Sequence, residues 1–232
     1  MEYLLSIGSL QFDGTPRVAV VLDRLRDADT LKKLETRGAD LLEVRVDLFD
    51  HPFERVREYI GEIRRATALP LIGTIRENRR TSSRRRELFD SLIPAVDAVD
   101  VEVDAPFCAE VAAEAGRQGK RVIVSEHNFR ETPESDVLDR IIERAKGSGA
   151  NIVKVATMAC CREDVVRILE LPRRGNDNLV VIAMGAMGTL SRLVAPLFGS
   201  LFTYAPLDDA VAPGQIPLDT LVKHLRLYFP QP

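Results

Sequence analysis

Short runs of aliphatic and β-branched residues alternate along the chain with longer stretches in which charged and apolar residues recur at helical spacing. Apolar runs of this length, bounded by Gly, Pro or charged residues, are typical of buried strands. The runs predict strands at 17–22, 40–46, 70–75, 98–103, 121–126, 151–156, 179–184 and 200–205. The amphipathic stretches predict helices near 25–37, 52–66, 83–94, 106–118, 134–147, 162–171, 188–198 and 216–228.

Eight alternating strand and helix units favour a (β/α)₈ barrel that forms one domain over residues 1–232, because eight strands are what closure of such a barrel needs. Gly38, Gly119 and Gly149 each stand just before a predicted strand, where a glycine ends the preceding helix. A doubly wound open sheet is the alternative. The first predicted strand is not followed by a G-x-G-x-x-G motif, which argues against the dinucleotide-binding form of that fold.

Composition narrows the class of protein but does not identify it. The 232 residues are 45% hydrophobic and carry a formal net charge of -3, so neither nucleic acid nor an acidic surface is an expected partner. No apolar stretch is long enough to cross a membrane. The N-terminal MEYLLSIGSLQFDG has an early Glu and no basic segment, unlike a signal peptide, and we expect a cytoplasmic protein. Three cysteines, Cys108, Cys160 and Cys161, have neither disulfide nor zinc-ligand spacing and are interpreted as packing residues.

Polar side chains collect toward the ends of the predicted strands, where barrels hold their functional groups. Glu43 and Arg45 are two residues apart and therefore share one face of the second strand, either as a structural pair or as ligand-binding groups. The other polar residues at strand ends are Arg76, Glu102, Ser125, Glu126, His127, Ser191, Arg192 and the APGQ segment at 212–215.

Lys154 is the residue hardest to explain by structure alone, because it lies inside the apolar strand NIVKVA while the other five lysines lie in charged or helical stretches. An inward lysine is either paired with a carboxylate or kept neutral by desolvation, and a neutral amine is a nucleophile toward carbonyl groups. His127 alone would more often be a hydrogen-bonded loop residue than a catalyst. Together, an amine, a histidine and several arginines indicate a site for an anionic carbonyl substrate. No cluster has metal-ligand spacing.

Seven ordered motifs over nearly the whole chain resemble the type I 3-dehydroquinate dehydratases of the shikimate pathway. The motifs are ADLLEVRVDLF at 39–49, LIGTIR at 71–76, SEHNFRETP at 125–133, NIVKVAT at 151–157, MGAMGTLSR at 184–192, FGSLFTYA at 198–205 and APGQ at 212–215. The resemblance implies a (β/α)₈ barrel that dehydrates 3-dehydroquinate to 3-dehydroshikimate without a metal or external cofactor. Such enzymes are often homodimers.

The resemblance also implies a role for each matching residue. Lys154 would form an imine with the C3 ketone, and His127 would remove the C2 proton and return it to the departing C1 hydroxyl. Arg192 would bind the substrate carboxylate, while Arg76 would complete the polar wall. Glu43, Arg45 and Gln215 would hold hydroxyl groups, and Met184 matches a position near the site.

Two positions depart from the family pattern. The family has a histidine-orienting glutamate four residues past the strand-three arginine, where this chain has Arg80 in the run RENRRTSSRRREL at 76–88. His127 would then lack its carboxylate or find one in Glu43, Glu102 or Asp47. The residue before APGQ is usually a serine and is Val211 here.

The arginines of 76–86 favour a solvated loop and helix start, or a mobile lid over an anionic substrate, rather than a nucleic-acid patch, which would interleave aromatics. Two further functions stay open. One is another lysine-imine lyase such as an aldolase, against which the HNF…P and SR…APGQ motifs argue. The other is a catalytically weakened relative that binds a metabolite or a partner.

Overall fold

The computed structural model describes residues 5–175 and 177–229. The first four residues of the N-terminal segment considered above, and both ends of the expected domain 1–232, lie outside these ranges. The described strands are β1 (Ser6–Ile7), β2 (Leu10–Gln11), β3 (Val18–Leu22), β4 (Leu41–Arg45), β5 (Leu71–Thr74), β6 (Ala98–Glu102), β7 (Arg121–Asn128), β8 (Ile152–Met158), β9 (Leu179–Met184) and β10 (Thr203–Pro206).

Helices follow the strands of the barrel in turn. They are α1 (Ala28–Lys33), α2 (Phe53–Ala66), α3 (Arg85–Leu92), α4 (Cys108–Arg117), α5 (Ser135–Gly147), α6 (Arg162–Glu170), α7 (Gly185–Gly188), α8 (Ser191–Val194) and α9 (Leu218–Tyr228). Within the described ranges, no helix is both long enough and apolar enough to span a lipid bilayer.

Strands β3 to β10 form one parallel sheet in the order β10-β3-β4-β5-β6-β7-β8-β9. β10 and β9, the first and last strands in that order, lie side by side but do not form a regular ladder of backbone hydrogen bonds. The Leu201 N–H donates to the Leu179 carbonyl at 2.9 Å, and the Val181 N–H donates to Ser200 Oγ at 3.1 Å. The sheet is therefore a nearly closed (β/α)₈ barrel, which confirms the fold predicted from the alternation of strands and helices.

Side chains alternate between the two faces of each strand, so the apolar residues form two separate layers. Val153 and Val155 of β8 point outward and pack in the layer between the sheet and the helices. Ile152 and Ala156 point inward and join the cluster that fills the barrel. Lys154 lies between these two inward positions, so its side chain enters the barrel interior.

A short hairpin made of β1 and β2 covers the end of the barrel at which the strands begin. Ile7 and Phe12 are buried in the interior cluster, and the Phe12 ring stacks on Phe202 with centroids 5.7 Å apart. Arg121, at the start of β7, donates from Nε to the Ser6 carbonyl at 2.9 Å. The sequence pattern did not predict this hairpin, because two-residue strands give no periodicity.

Two predicted helices are shorter or more broken than expected. The first covers only 28–33, where Asp27 accepts a hydrogen bond from the Thr30 N–H and caps the start. The stretch 188–198 is divided into the end of α7, then α8, and then a 3₁₀ turn that has Pro196 in its first turn. The three glycines predicted to end helices, Gly38, Gly119 and Gly149, all have positive φ, as expected.

Candidate active site

The carboxyl ends of the strands surround an open cavity of about 650 Å³. The wall contains every residue to which the sequence analysis assigned a catalytic or binding role: Glu43, Arg45, Arg76, His127, Lys154, Met184, Arg192 and Gln215. These residues come from most of the barrel strands and from the segments that follow them, and closure of the barrel brings them together. Phe129 and Leu48 stand at the rim, and both are exposed.

Lys154 is buried at the centre of the site, with only 5% of its surface exposed. Its Nζ donates to Asp100 Oδ2 at 3.0 Å and lies 3.6 Å from Glu43 Oε1. The same atom is 4.1 Å from the centroid of the Tyr204 ring. Of the two alternatives left open by the sequence, the structure has the paired one, because two carboxylates offset the cost of burying the ammonium.

Asp100 is the most important residue that the sequence analysis missed. It is fully buried on β6 and accepts hydrogen bonds from Ser125 Oγ at 2.6 Å and from Arg76 Nη2 at 2.8 Å. Burial alone would raise the pKa of Asp100, but the charges of Arg76 and Lys154 outweigh it and hold that pKa well below its usual range. The alternation AVDVE was the available signal, since it places Asp100 on the same face as Glu102.

Glu43 and Arg45 share the inward face of β4, as predicted, but they are not hydrogen-bonded to each other. Glu43 Oε1 accepts a hydrogen bond from Thr74 Oγ1 at 2.8 Å. Arg45 forms a two-pronged pair with Asp47, donating from Nε at 3.0 Å and from Nη2 at 2.7 Å. Each of the two residues therefore has another hydrogen-bond partner, and Glu43 lies 3.6 Å from the Lys154 nitrogen.

Arg76 joins the buried carboxylate to the mouth of the cavity. Beyond Asp100, its guanidinium donates to Ser125 Oγ at 2.9 Å and lies 3.3 Å from Glu102 Oε2. Glu102 in turn forms an ion pair with Arg85, which is 3% exposed and also donates from Nε to the Ile75 carbonyl at 2.7 Å. A continuous line of alternating charges thus connects the start of α3 with Lys154.

The basic run after β5 is only partly the solvated loop that the sequence predicted. Arg79 and Arg84 are exposed, in agreement with that interpretation. Arg85 contradicts it, because this side chain is buried in the line of charges. Arg80 donates from Nη2 to the Asp47 carbonyl at 3.2 Å and to the Phe49 carbonyl at 2.8 Å, which ties this loop to the one after β4.

His127 stands on the wall next to Lys154, since β7 and β8 are paired. Burial and the positive charges of Arg76 and Lys154 lower its pKa well below the usual value, while Asp100 acts in the opposite direction. The imidazole is therefore a neutral base at physiological pH. Its Nδ1 is buried and has no hydrogen-bond partner among the described residues. None of the three carboxylates suggested by the sequence, Glu43, Glu102 and Asp47, bonds to that atom.

Arg192 brings a second buried cation to the cavity, on the side of the APGQ segment. It is 2% exposed, and burial lowers its pKa to about 10. Its Nη2 donates to the Pro213 carbonyl at 2.9 Å, whereas its Nε has no partner, and no carboxylate pairs with it in the described ranges. A buried guanidinium without a counter-ion is a place where a ligand carboxylate is stabilised.

The APGQ segment is held by its own glutamine. Gln215 Oε1 accepts hydrogen bonds from the backbone N–H groups of Val211 at 2.7 Å and Ala212 at 3.1 Å. The side chain of Gln215 also lines the cavity. Val211 lines the same wall with an apolar side chain, so the segment offers one fewer hydroxyl than the family pattern. Met184, on β9, is 2% exposed and lines the cavity as well.

The arrangement brings three chemically useful groups together in one cavity. Lys154 is an ammonium whose charge is balanced by carboxylates, and its amine can form an imine with a ketone once it has lost a proton. His127 is a neutral base beside it. Arg192 is a positive group on the wall, and no described residue supplies its counter-ion. Proton abstraction next to a carbonyl group, on a small carboxylate-bearing substrate, uses all three.

The chain is similar to known proteins over most of its length. The family model described as type I 3-dehydroquinase matches residues 18–232. The 3-dehydroquinate dehydratase of Aquifex aeolicus is 36% identical over 217 residues, which span 91% of this chain and 98% of that protein.

Two solved structures are also similar to the whole barrel. The 3-dehydroquinate dehydratase of Geobacillus kaustophilus superposes with a TM-score of 0.86 at 28% identity, covering 99% of this chain and 98% of the other. The type I enzyme of Clostridium difficile, whose crystal structure contains covalently modified comenic acid, gives a TM-score of 0.85 at 26% identity and covers 98% of each chain.

Proposed function

Because this chain belongs to the type I 3-dehydroquinase family and its enzyme activity is that of a 3-dehydroquinate dehydratase of the shikimate pathway, we propose that Lys154 performs the reaction as a Schiff base. The observation that carries the proposal is the position of Lys154. Its Nζ lies inside the barrel between two carboxylates, and the same cavity holds His127 and Arg192, which pairs with no carboxylate of the described residues.

The first half of the reaction builds an electron sink. Lys154 transfers one proton to the neutral imidazole of His127, and the free amine attacks the C3 ketone of the substrate. The imidazolium returns that proton to the hydroxyl of the resulting carbinolamine, which leaves as water, so that a protonated imine and a neutral imidazole result. The positive nitrogen makes the adjacent C2 hydrogen acidic, so that no metal is needed to stabilise the developing carbanion.

The second half is an elimination in which His127 acts first as base and then as acid. The imidazole removes the C2 proton, and the electron pair moves into the imine to give an enamine. The enamine pushes out the C1 hydroxyl, which takes a proton from the imidazolium and leaves as water. Hydrolysis of the remaining conjugated imine releases 3-dehydroshikimate and restores Lys154. A base that is neutral at the operating pH suits both transfers.

The remaining polar groups hold the substrate in register with Lys154. Arg192 binds the carboxylate through its free Nε edge, and the amide nitrogen of Gln215 donates to a ring hydroxyl. Glu43 and Arg45 face hydroxyl groups from β4. Arg76 acts mainly through Asp100, whose negative charge it shares with the Lys154 ammonium. The covalently modified ligand named for the Clostridium difficile enzyme supports covalent chemistry in a barrel of this shape.

The test is reductive trapping. The protein is incubated with 3-dehydroquinate and borohydride, and intact mass spectrometry with peptide mapping is expected to find a stable adduct on Lys154 together with loss of activity. Lys154→Met should give no adduct, whereas Lys223→Met, at an exposed lysine on α9, should give the same adduct as the unmodified chain. A folded protein that forms no adduct would exclude the imine mechanism.

A steady-state assay distinguishes dehydration from the aldolase alternative. Dehydration produces a conjugated enone, whose ultraviolet absorbance rises as substrate is consumed. An adduct on Lys154 without that absorbance would favour another lysine-imine lyase. Imine formation with very slow turnover would favour the weakened relative, for which Val211 and the arginine-rich loop are the reasons.

Three further parts of the proposal concern the whole protein. We propose that residues 1–232 form one catalytic domain, that the protein acts as a homodimer, and that it works in the cytoplasm. Exposed apolar side chains around α7 and α8, such as Leu190 and Leu197, support an interface between copies. Light scattering coupled to gel filtration measures the mass in solution, and a monomer at micromolar concentration would contradict the dimer.

A further inference from the structure

Tyr204 presents the face of its ring to the reacting nitrogen. The residue lies on β10, is 3% exposed and lines the active-site cavity. The distance of 4.1 Å from Lys154 Nζ to the ring centroid is well inside the range in which an aromatic face attracts a cation. Neither the sequence pattern nor the family resemblance assigned a role to this side chain.

The ring occupies a definite place among the charges that face Lys154. Asp100 and Glu43 approach the nitrogen from β6 and β4, while His127, Arg76 and Arg45 line the same cavity. The aromatic face, from β10, adds an attraction for positive charge without adding an acceptor that could take the proton. The Tyr204 ring is itself positioned by Phe202, whose ring centroid is 5.4 Å away.

We propose that the face of the Tyr204 ring stabilises positive charge on the Lys154 nitrogen and thereby keeps the substrate imine protonated during catalysis. The inference rests on the proposed Schiff-base function and names a further catalytic residue for it. Only the protonated imine is an effective electron sink. A neutral imine would leave the C2 hydrogen too weakly acidic for His127 to remove.

The hydroxyl of Tyr204 has no part in the proposed stabilisation, which depends on the ring alone. That oxygen is buried and has no hydrogen-bond partner among the described residues. Burial, together with the negative charges of Glu43 and Asp100, raises the pKa of the phenol well above its usual value, so the side chain stays uncharged across the working pH range. Tyr204→Phe therefore keeps the proposed function of the ring, whereas Tyr204→Leu removes it.

The experiment compares the pH dependence of imine trapping and of kcat in the unmodified chain, Tyr204→Phe and Tyr204→Leu. Cyanoborohydride is the trapping reagent, because it reduces the protonated imine selectively over a wide pH range. Loss of a desolvated cation–π contact should move the alkaline limb of both profiles about one pH unit lower in Tyr204→Leu. Tyr204→Phe should keep the limb of the unmodified chain.

Each outcome decides the matter. A limb that is the same in Tyr204→Leu as in the unmodified chain would overturn the role of the ring, and so would an equal shift in Tyr204→Phe, which would assign the effect to the hydroxyl. Failure of the unmodified chain to form any adduct would instead overturn the Schiff-base function. Circular dichroism checks the fold of each variant, and if Tyr204→Leu does not fold, Tyr204→Met provides the same comparison.

Discussion

Arg192 keeps a positive charge inside the protein without a carboxylate beside it in the described ranges, and burial lowers its pKa to about 10. Such a group destabilises the free protein and binds an anion strongly, because the ligand removes part of the desolvation cost. Arg192→Lys keeps the charge but loses the planar edge that suits a carboxylate. We expect KM for 3-dehydroquinate to rise about 10- to 100-fold in steady-state kinetics, with a smaller change in kcat.

Arg192→Met is the matching control, because it removes the buried charge altogether. This variant should bind substrate even more weakly, yet its free energy of unfolding should equal or exceed that of the unmodified chain in urea titrations. A KM that stays unchanged in both variants would place the substrate carboxylate elsewhere.

Among single residues, His127 is expected to make the stability of the protein depend on pH. Its pKa in the folded protein is lowered well below the usual value of about 6.5, so the imidazole remains a neutral base as the pH falls through 6.5. The unfolded chain binds a proton there that the folded chain does not bind. We therefore expect the contribution of His127 to stability to be lost as the pH falls below about 6.5, while the base itself stays active.

Proton NMR of the histidine rings measures this directly, since the chain has only three histidines. The His127 signal is the one that disappears in His127→Gln, and its midpoint should lie clearly below 6.5. The same substitution should reduce kcat while imine trapping on Lys154 continues at a lower rate. A midpoint at or above the usual histidine value would contradict the neutral-base assignment.

The sequence predicted which polar side chains line the cavity better than it predicted their partners. Lys154, His127 and Arg192 could be found because their side chains are costly or unusual at strand ends. Asp100 was missed although it alternates with Glu102, because one strand does not reveal which of two inward carboxylates meets the lysine. The contact between Lys154 and Tyr204 depends on closure of the whole barrel, and no local pattern encodes that distance.

At the scale of elements, the conformation of the loops that follow the strands requires a few places where one stretch of backbone lies very close to another. Gly214, in the APGQ segment, has a φ of +74°, and a Cβ there would lie 2.4 Å from the Gly185 carbonyl oxygen. Gly214→Ala must therefore shift the segment that contains Gln215. We expect kcat/KM to fall about 10- to 100-fold, as for a misplacement of about 1 Å at a binding group.

Gly14→Ala is the matched control for this substitution. Gly14 also has a positive φ, of +88°, but a Cβ there would meet nothing within 4 Å. The left-handed conformation should cost each variant about 1 kcal/mol of stability, measured by thermal unfolding, and the clash should add to the loss in Gly214→Ala. Only Gly214→Ala should lose activity, and an equal loss in the two variants would show that the clash with Gly185 is unimportant.

The elements that the sequence predicted poorly have weak local signals. The boundaries of long strands and helices were nearly right because burial repeats with a clear period over many residues. The β1–β2 hairpin has no such period, and its position is fixed by Phe12 stacking on Phe202. The stretch 188–198 has the apolar residues of a helix, but Gly188 and Pro196 divide it into short turns.

At the scale of the whole molecule, seven parallel ladders join β10 to β3 and then each strand to the next through β9. The eighth junction, between β9 and β10, is different. Here the described contacts include a single backbone hydrogen bond and one bond from the Val181 N–H to Ser200 Oγ. Tyr204 lies on β10 and Lys154 on β8, so the contact between the Lys154 nitrogen and the Tyr204 ring spans this junction. The barrel should therefore open first between β9 and β10.

Ser200→Ala tests this expectation, because it leaves the buried Val181 N–H without an acceptor. We expect a loss of about 1 to 3 kcal/mol in the free energy of unfolding. Hydrogen exchange should speed up mainly in β9 and β10, where opening is local. Thr203→Val, three residues further on at the start of β10, is the control, since Thr203 Oγ1 is buried without a partner among the described residues, and its removal should be neutral or stabilising. If exchange rose evenly around the barrel in Ser200→Ala, the β9–β10 junction would be no weaker than the seven ladders, and the position of Tyr204 would be as secure as that of any other wall residue.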